Sequence, residues 1–379
     1  MLAENEKGAA EGLVGSGLEG RDRSDDRPTP TELSLSVIIP VHNGGENFRR
    51  CLVSLAATVP PPHEVIVVAD GDSDESWRLA AEYGAQVVRV ATRGGPAQAR
   101  NVGARIARGD ILFFVDADVT IPADSVGYIL AAFARESTLT ALFGSYDDEP
   151  GAANFLSQYK NLFHHYVHQT ASEDACTFWG ACGAIRREVF LALGGFYEKY
   201  RQPSIEDIEL GYRLKQAGKQ IRLCKTLQVK HLKRWGVISL LKADFCYRAL
   251  PWTELILQQR RLPNDLNLRL SSRVSVLLTY GLLVTGVSGW WWPGSLVVAG
   301  IIILLLLALN MPVYRFFWRK RGLWFAMRTV PWHWLYYLYS GLAFALGVVA
   351  SVCRNSGLLQ TKGGAVREGP SSSETYRGS

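Results

Sequence analysis

The stretch Ile111-Leu-Phe-Phe-Val-Asp-Ala-Asp118 places two carboxylates directly after five apolar residues. An unbroken apolar run that begins and ends with a β-branched residue predicts a strand buried on both faces, as in a parallel sheet. Ligands of such sheets bind beyond the carboxyl ends of the strands. The stretch therefore predicts an α/β fold with a binding site that includes Asp116 and Asp118.

The residues before this stretch alternate between strand and helix patterns, with short connections that carry Gly and Pro. This alternation predicts an α/β domain with a mainly parallel sheet. A dinucleotide-dependent dehydrogenase is excluded, because no G-x-G-x-x-G follows the first strand. The predicted strands are residues 35–40, 64–69, 86–90 and 111–115, and the predicted helices are residues 47–58, 73–83 and 96–107.

The C-terminal part of the chain is much more apolar than the rest. It contains runs at residues 274–292, 295–313 and 331–353, each close to the ~20 residues that a membrane-spanning helix needs. Arginines flank the first run and fill the link between the second and third, and tryptophans lie at run ends. The positive-inside rule then predicts a multi-pass protein of the cell (inner or plasma) membrane, with its sheet domain in the cytoplasm. The alternative is a set of buried core helices.

The remaining segments and the charge add weaker indications. Residues 1–33 and 354–379 are polar and predict disordered tails, and no secretory signal precedes the sheet domain. Residues 236–273 predict an amphipathic helical segment, which lies in the headgroup layer or docks on the sheet domain. The net charge of +6 is concentrated beside the apolar runs, so we expect no nucleic-acid partner. Six scattered cysteines indicate neither a zinc site nor a disulfide framework.

Asp116-Ala-Asp118 has the residue types of a site for a hard divalent cation. Carboxylate oxygens suit Mg²⁺ or Mn²⁺, which also bridge to phosphates. Such an ion acts as a Lewis acid when a bond to phosphate breaks. Paired acids at a strand end are often only solvated turn residues, so the prediction depends on neighbouring motifs.

Five further motifs follow one another at predicted strand ends or helix starts. They are Pro40-Val41-His-Asn43, Asp70-Gly-Asp-Ser73, Gly94-Gly-Pro-Ala-Gln-Ala-Arg100-Asn101, Trp179-Gly180-Ala-Cys-Gly-Ala184 and Ile205-Glu206-Asp207. Together with Asp116-Ala-Asp118 and in this order, they resemble the family-2 inverting glycosyltransferases of the Rossmann-like GT-A fold. The resemblance covers about residues 34–235.

The resemblance implies roles for individual residues. Asp207 would be the general base, with Glu206 beside it raising its pKa; the alternative is an acid pair that stabilises a helix N-terminus. Asp118 would bind the metal ion. The residues implied in donor binding are Pro40, Val41, Asn43, Asp70 and Arg100 for the nucleotide, Asp116 for ribose or sugar, and Trp179 and Gly180 for the donor-sugar and acceptor pocket.

His231-Leu-Lys-Arg234-Trp235 resembles the Q-x-x-R-W element of membrane-embedded members of the family, with His in place of Gln. The resemblance implies that Arg234 binds the diphosphate and that Trp235 packs in the same site, under the acceptor. His231 is then a candidate metal ligand. The alternative is a basic, aromatic membrane-interface segment. The His164-His-x-x-His168 cluster is a weaker metal candidate, since it has no carboxylate cluster of its own.

These residues predict inverting, metal-dependent transfer of a sugar from a nucleotide-sugar donor to a hydroxyl of a lipid or lipid-linked acceptor at the cytoplasmic membrane face. A polyprenyl-phosphate glycosyltransferase is the nearest alternative, although an ionised phosphate acceptor needs no general base. A membrane scaffold with an inert glycosyltransferase-like domain is the alternative of another class.

Overall fold

The structure is a computed structural model that describes residues 33–259 and 266–355. Nearly all of the two predicted disordered tails lies outside the described residues. An eight-stranded sheet with the order β3-β2-β1-β4-β7-β6-β8-β5 forms the centre of the fold. Its strands are β1 (Leu35–Val41), β2 (Glu64–Asp70), β3 (Gln86–Val90), β4 (Ile111–Val115), β5 (Val119–Thr120), β6 (Leu139–Tyr146), β7 (Cys182–Arg186) and β8 (Gln220–His231).

The sheet has a parallel half and a mixed half. Strands β3, β2, β1 and β4 are parallel to one another, and the apolar run of β4 is completely buried, as the sequence predicted. β7 then runs antiparallel to both β4 and β6, while β8 is parallel to β6 and antiparallel to β5. The predicted α/β fold is confirmed, and β7, which is antiparallel to both of its neighbours, links the two halves.

Seven helices cover the sheet: α1 (Gly45–Ala56), α2 (Ser76–Glu82), α3 (Pro96–Ile106), α4 (Ser125–Arg135), α5 (Phe155–Thr170), α6 (Arg187–Ala192) and α7 (Glu206–Gln216). Phe48 of α1 and Phe133 of α4 are buried in the main core with the apolar strand residues. The short α2 begins three residues later than predicted, since Asp74 binds the backbone N–H and hydroxyl of Ser76 and so ends the preceding turn.

A helical segment follows β8 and docks on the sheet domain. It comprises α8 (Val237–Lys242), a π-helix (Ala243–Ala249), α9 (Leu250–Gln259) and a 3₁₀ turn (Leu266–Leu268). Trp252 and Ile256 of α9 pack with Ile205 and Tyr212 of the domain, and the Trp252 indole N–H donates to the Tyr212 hydroxyl at 3.2 Å. Ile238 of α8 stays 82% exposed, so this segment both docks and presents an apolar surface.

Four helices complete the described chain: α10 (Leu270–Ser288), α11 (Ser295–Leu309), α12 (Met311–Arg321) and α13 (Leu323–Asn355). α10 and α13 are each long and apolar enough to span a membrane, and α11 with α12 adds a third candidate if that bent pair counts as one span. The boundaries of all three predicted runs differ from those of the helices, and α10 begins and ends four residues before the first run. The second run breaks after Leu309 with a bend of 61°, and α13 begins eight residues before the predicted start, with Pro331 inside the helix.

Candidate active site

Strand pairing brings the carboxylates that follow β4 next to the Trp179–Cys182 turn. Val115 at the end of β4 pairs with Cys182 at the start of β7, and the Asp116 N–H donates to the Ala181 carbonyl at 3.3 Å. β5 pairs with β8 so that Val119 lies opposite His231. Residues far apart in sequence therefore meet at the carboxyl end of β4.

Arg100 of α3 joins two of the predicted site carboxylates. Its Nη2 donates to Asp116 Oδ1 at 2.5 Å, and its Nη1 donates to Glu206 Oε1 at 3.0 Å. Burial raises the pKa of both Asp116 and Glu206, and the Arg100 charge opposes that rise. Gly180 packs against the guanidinium, because a Cβ there would lie 3.2 Å from Arg100 Cζ. Arg100 thus positions the site carboxylates, and nucleotide binding by Arg100 stays a prediction.

Asp70 holds the loop that begins α3. Its two carboxylate oxygens accept the N–H groups of Gly94 and Gly95 at 2.7 and 2.8 Å. Gly95 has φ +95°, and a Cβ there would lie 2.4 Å from the Arg201 carbonyl oxygen, so only glycine fits this turn. Base binding by Asp70 stays a prediction, since its carboxylate already orders this loop.

The predicted Pro40–Asn43 segment lies at the end of β1. Asn43 Oδ1 accepts the Ser73 N–H at 2.8 Å, which ties the turn after β1 to the turn after β2. The Val41 side chain is buried in the core and Pro40 is half-buried. Any donor contact at Val41 therefore involves its backbone.

Asp118 and His231, the two predicted metal ligands, lie together, with Asp118 Oδ2 3.6 Å from His231 Nε2. Burial raises the pKa of Asp118, but the interaction with the neighbouring His231 imidazole outweighs that effect and lowers it. The described residues contain no group of three side chains arranged to hold a metal ion. Mg²⁺ commonly takes one or two protein ligands and completes its shell with water and substrate phosphates. The Asp118–His231 pair fits a cation bound in that way.

Tyr146, at the end of β6, completes this part of the site although no sequence motif marked it. Its ring stacks on His231 at 4.4 Å between centroids with an interplanar angle of 10°. The Trp179 ring meets Tyr146 edge-on at 4.8 Å. Tyr146 therefore fixes the planes of both His231 and Trp179.

Asp207 lies in the first turn of α7, below the Trp179–Gly180 turn. Its Oδ2 accepts the Gly180 N–H at 3.0 Å and its Oδ1 accepts the Ile208 N–H at 2.8 Å. These contacts fix the orientation of the carboxylate. Glu206, in contrast, is buried against Arg100 and also accepts the Ser204 N–H at 2.9 Å, so its charge is neutralised away from Asp207.

A cavity of about 620 Å³ extends from Asp207 and Trp179 to the C-terminal helices. Most of its walls are apolar or aromatic and come from α5, the π-helix, α9, α10 and α13. The wall also includes Lys160, His164, Asp244, Arg248, Ala249 and Ser340. Sequence reasoning missed this cavity, because its wall is formed by many elements that are far apart in the sequence.

Arg234 and Trp235 do not line this cavity. Arg234 is exposed. The Trp235 N–H donates to Ser157 Oγ at 2.7 Å, and its carbonyl accepts from Asn154 Nδ2 at 2.8 Å, so Trp235 anchors the chain to α5. The binding roles implied for both residues stay predictions.

The histidines of α5 serve packing. His165 Nδ1 lies 2.7 Å from the Tyr146 carbonyl oxygen and His168 Nδ1 lies 3.2 Å from that of Gly144. The His164 ring packs against Trp179 at 4.9 Å. Burial lowers the pKa of His168 to about 4 and lowers that of His164 well below its ordinary value.

Comparison with known proteins gives the family of this region. The model of glycosyl transferase family 2 matches residues 36–194. An uncharacterized glycosyltransferase, YibD, of Escherichia coli K12 is 39% identical over 88 residues, which are 22% of this chain and 26% of YibD. A probable glycosyltransferase, YdaM, of Bacillus subtilis 168 is 27% identical over 214 residues, 50% of this chain and 48% of YdaM. The chain thus spans less than half the length of these curated relatives.

A solved structure supports the fold over a larger part of the chain. It is the mannosyltransferase PcManGT from Pyrobaculum calidifontis in complex with GDP-Man and Mn²⁺, with a TM-score of 0.54 and 16% sequence identity. The match covers 83% of this chain and 88% of that one. At this identity the likeness concerns the fold alone. Taken with the family match, it identifies residues 36–194 as a family 2 glycosyltransferase domain on a GT-A-like fold, followed by helices of which two or three are able to span a membrane.

Proposed function

We propose that the protein transfers a sugar, with inversion, from a nucleotide-sugar donor to a hydroxyl of a lipid or lipid-linked acceptor. The transfer would occur at the cytoplasmic face of the cell membrane. The observation that carries this proposal is the apolar cavity of about 620 Å³, which has Asp207 and Trp179 at one end and helices α10 and α13 in its walls. A cavity of this size and lining suits a hydrocarbon chain, because apolar pockets of 300–1,000 Å³ are typical ligand sites.

The donor side of the site would hold the diphosphate. Asp118 and His231 would bind Mg²⁺ or Mn²⁺, which neutralises the charge that develops on the leaving diphosphate. Asp116, oriented by Arg100, keeps an oxygen for ribose or sugar hydroxyls. A separate cleft of about 220 Å³ lies at the ends of β2 and β3, lined by Gly71, Asp72 and Arg89 among others. We place the nucleoside near this cleft.

Asp207 would act as the general base. The acceptor oxygen forms a bond to the anomeric carbon while the bond from that carbon to the phosphate oxygen breaks. The nucleoside diphosphate leaves with the electron pair, and the hydroxyl proton passes to the Asp207 carboxylate. Asp207 faces the cavity, which supports a hydroxyl acceptor over a phosphate acceptor, since the latter has no proton to remove.

The first experiment measures nucleotide release by the full chain, purified in a neutral detergent. UDP- and GDP-sugars are supplied with Mn²⁺ or Mg²⁺, with or without a lipid extract. We expect lipid-stimulated release from one donor, lost in Asp118→Ala and on addition of EDTA. Nucleotide binding without release from any donor would instead support the inert-scaffold alternative.

A matched pair of variants tests the cavity. Ala249→Trp fills its wall, whereas Cys246→Trp adds the same bulk to an exposed position of the same π-helix. We expect Ala249→Trp to abolish the lipid stimulation and Cys246→Trp to retain it. Equal lipid stimulation of nucleotide release in both variants would show that the acceptor does not bind in this cavity.

A further inference from the structure

The π-helix at residues 243–249 carries two of the charged residues of the cavity wall. Its wider turns are shown by the Leu250 N–H, which donates to the Phe245 carbonyl, five residues earlier. Short π-helical turns inside α-helical segments occur frequently at functional sites. Here Asp244 and Arg248, four residues apart, both line the cavity.

Asp244 is fully engaged within the protein. Its Oδ1 lies 2.5 Å from Lys160 Nζ, and its Oδ2 accepts the Tyr339 hydroxyl at 2.7 Å. Burial raises the pKa of Asp244, but the charges of Lys160 and Arg248 outweigh that effect and lower it. The carboxylate is therefore ionised, and Lys160 forms a close ion pair with it.

Arg248 has no hydrogen bond or ion pair among the described residues. The neighbouring His164 is neutral at physiological pH, because burial lowers its pKa well below the ordinary value. The other cation of the wall, Arg273, donates its Nε–H to the Leu268 carbonyl at 2.8 Å. Among the described residues, the cavity thus presents one guanidinium, that of Arg248, that has no direct hydrogen-bonded or ion-pair partner, within mostly apolar walls.

A charge in such surroundings costs free energy unless an opposite charge accompanies it. The guanidinium matches phosphate oxygens with two parallel N–H groups, and this geometry makes arginine a preferred phosphate-binding residue. The apolar walls from α9, α10 and α13 favour a ligand that carries a hydrocarbon chain in addition to its phosphate. A free phosphate ion would leave that apolar volume unfilled.

We propose that Arg248 binds a phosphate or phosphodiester group of the acceptor lipid, with the hydrocarbon chain between α10 and α13 and the acceptor hydroxyl near Asp207. The acceptor is then an anionic lipid that carries a free hydroxyl. Its identity as an acceptor rests on the proposed function, whereas its binding can be measured without turnover.

The test measures lipid binding to the full chain by native mass spectrometry in a neutral detergent. The probes are dioleoyl phosphatidylglycerol, which has a phosphodiester and free hydroxyls, and diolein, which has the same chains and a hydroxyl but no phosphate. The variants are Arg248→Gln and Arg248→Lys. Lys242→Gln is the control, because Lys242 is an exposed cation of the same helical segment outside the cavity wall.

We expect the wild type and Lys242→Gln to bind phosphatidylglycerol about 10- to 100-fold more tightly than diolein, because a hydrogen bond between charged groups contributes about that factor to affinity. Arg248→Gln should lose that preference while its affinity for diolein is unchanged, and Arg248→Lys should retain part of it. Equal affinities of the wild type for the two lipids would overturn the inference. So would an Arg248→Gln variant that loses nucleotide affinity rather than lipid preference, or inorganic phosphate that binds at Arg248 as tightly as the lipid does.

The inference and the proposed function fail separately. Arg248-dependent lipid binding without sugar transfer from any donor would support the inference and contradict the function. Sugar transfer to diolein and to phosphatidylglycerol with equal efficiency would support the proposed function and contradict the role of Arg248.

Discussion

At the residue scale, Arg100 connects the acids that follow β4 with the acids that begin α7. Its side chain is 5% exposed, and it is in contact with Asp116 and Glu206. Removing one partner of a buried ion pair costs about 3–5 kcal/mol, because the remaining charge is left without compensation. Arg100 is therefore a positioning residue on which both sets of acids depend.

Arg100→Met should lower the free energy of unfolding by about 3–5 kcal/mol near neutral pH. Without the guanidinium, the pKa values of Asp116 and Glu206 in the folded chain rise further above those in the unfolded chain. The loss is therefore smaller in acid, where both states bind the protons, and grows as the pH rises through the folded-state values. The measurement is the denaturant dependence of thiol labelling at Cys51 and Cys182, which are buried in the core.

The control for this variant lies on the same helix. Arg105 pairs with Glu198 at 2.8 Å, but its side chain is 59% exposed. Exposed pairs contribute about 0–1 kcal/mol, so Arg105→Met should change stability little. Equal decreases in the free energy of unfolding of the two variants would show that the buried ion pairs of Arg100 stabilise the protein no more than the exposed pair of Arg105.

Asp207→Asn should lower turnover by about 10²- to 10⁴-fold, the usual contribution of a general base. Nucleotide-sugar affinity should be preserved, because an Asn side chain still offers an oxygen to the Gly180 N–H. Turnover and the donor dissociation constant are measured on the same preparation. The exposed Asp174 provides the control variant Asp174→Asn, and full turnover by Asp207→Asn would exclude it as the base.

Sequence patterns singled out Asp116, Asp118 and Asp207 as candidates, because each belongs to a recognisable motif at an element boundary. They did not locate Tyr146 or Arg248. Tyr146 acts through stacking on His231, and this contact depends on the pairing of β6 with β8. Arg248 is one of many basic residues near the apolar runs, and only the fold distinguishes it by placing it in a cavity wall.

At the element scale, the break between α11 and α12 shows what hydropathy alone does not predict. The run at residues 295–313 is apolar apart from Ser295 and Asn310, and Asn310 ends α11. Asn310 Nδ2 donates to Ser275 Oγ at 3.0 Å, and its Oδ1 accepts the Tyr337 hydroxyl at 2.7 Å. Pro312, which lacks an N–H, then occupies the first turn of α12, a position that proline favours. The Asn-Met-Pro sequence carried this signal within the apolar run.

The acidic segment from Asp147 to Glu149 is a second element whose structural role the sequence pattern does not predict. As a short acidic stretch it predicts a solvated loop, but Asp147 pairs with Lys230 at 2.9 Å and Asp148 pairs with Lys320 of α12. Arg321 also donates to the Asp148 carbonyl at 2.7 Å. Because its partners lie far away in sequence, its role in holding α12 against the domain is visible only in the folded chain.

Phe317→Ala should detach α12 from the sheet domain. The Phe317 side chain is completely buried and packs on Tyr159 of α5 and Phe325 of α13, and truncating such a side chain costs about 3–5 kcal/mol. The adjacent Trp318 is 55% exposed, so Trp318→Ala is the matched control. Hydrogen exchange of residues 311–321 should accelerate in Phe317→Ala and not in Trp318→Ala; unchanged exchange in both would show that polar contacts alone hold α12.

At the scale of the whole molecule, the site lies between the sheet domain and the C-terminal helices. Tyr339 of α13 donates to Asp244, and Tyr280 of α10 donates to the Leu338 carbonyl at 2.8 Å. The same helices that are apolar enough to enter a membrane therefore complete the cavity beside Asp207. The composition of the sequence predicts the order of the sheet domain, the docking segment and the apolar helices along the chain. It does not predict that all three line the same cavity.

The arrangement of the ends of α10 and α12 leads to a prediction about topology. α10 begins near the sheet domain, where Arg269 donates to Thr170 at 3.1 Å, and α12 docks on the same domain through Phe317. α10 and α11 thus form a hairpin whose Trp290–Gly294 turn lies at the opposite end of α10 from Arg269. α11 has 15 residues, about 22 Å of helix, and α13 has 33 residues, about 50 Å, against a hydrocarbon thickness of about 30 Å.

We expect three crossings, with the sheet domain inside and both the Trp290–Gly294 turn and the chain end outside. The bend after Leu309 makes α11 with α12 the least secure of the three, since a short helix needs local thinning of the bilayer. An epitope inserted at Gly294 and one added after Ser379 should both bind antibody on intact cells, while an epitope before Met1 should bind only after permeabilisation. Antibody binding at Gly294 but not after Ser379 would show that α13 does not cross the membrane. Antibody access to the Met1 epitope on intact cells would show that the whole topology is the opposite of the one expected.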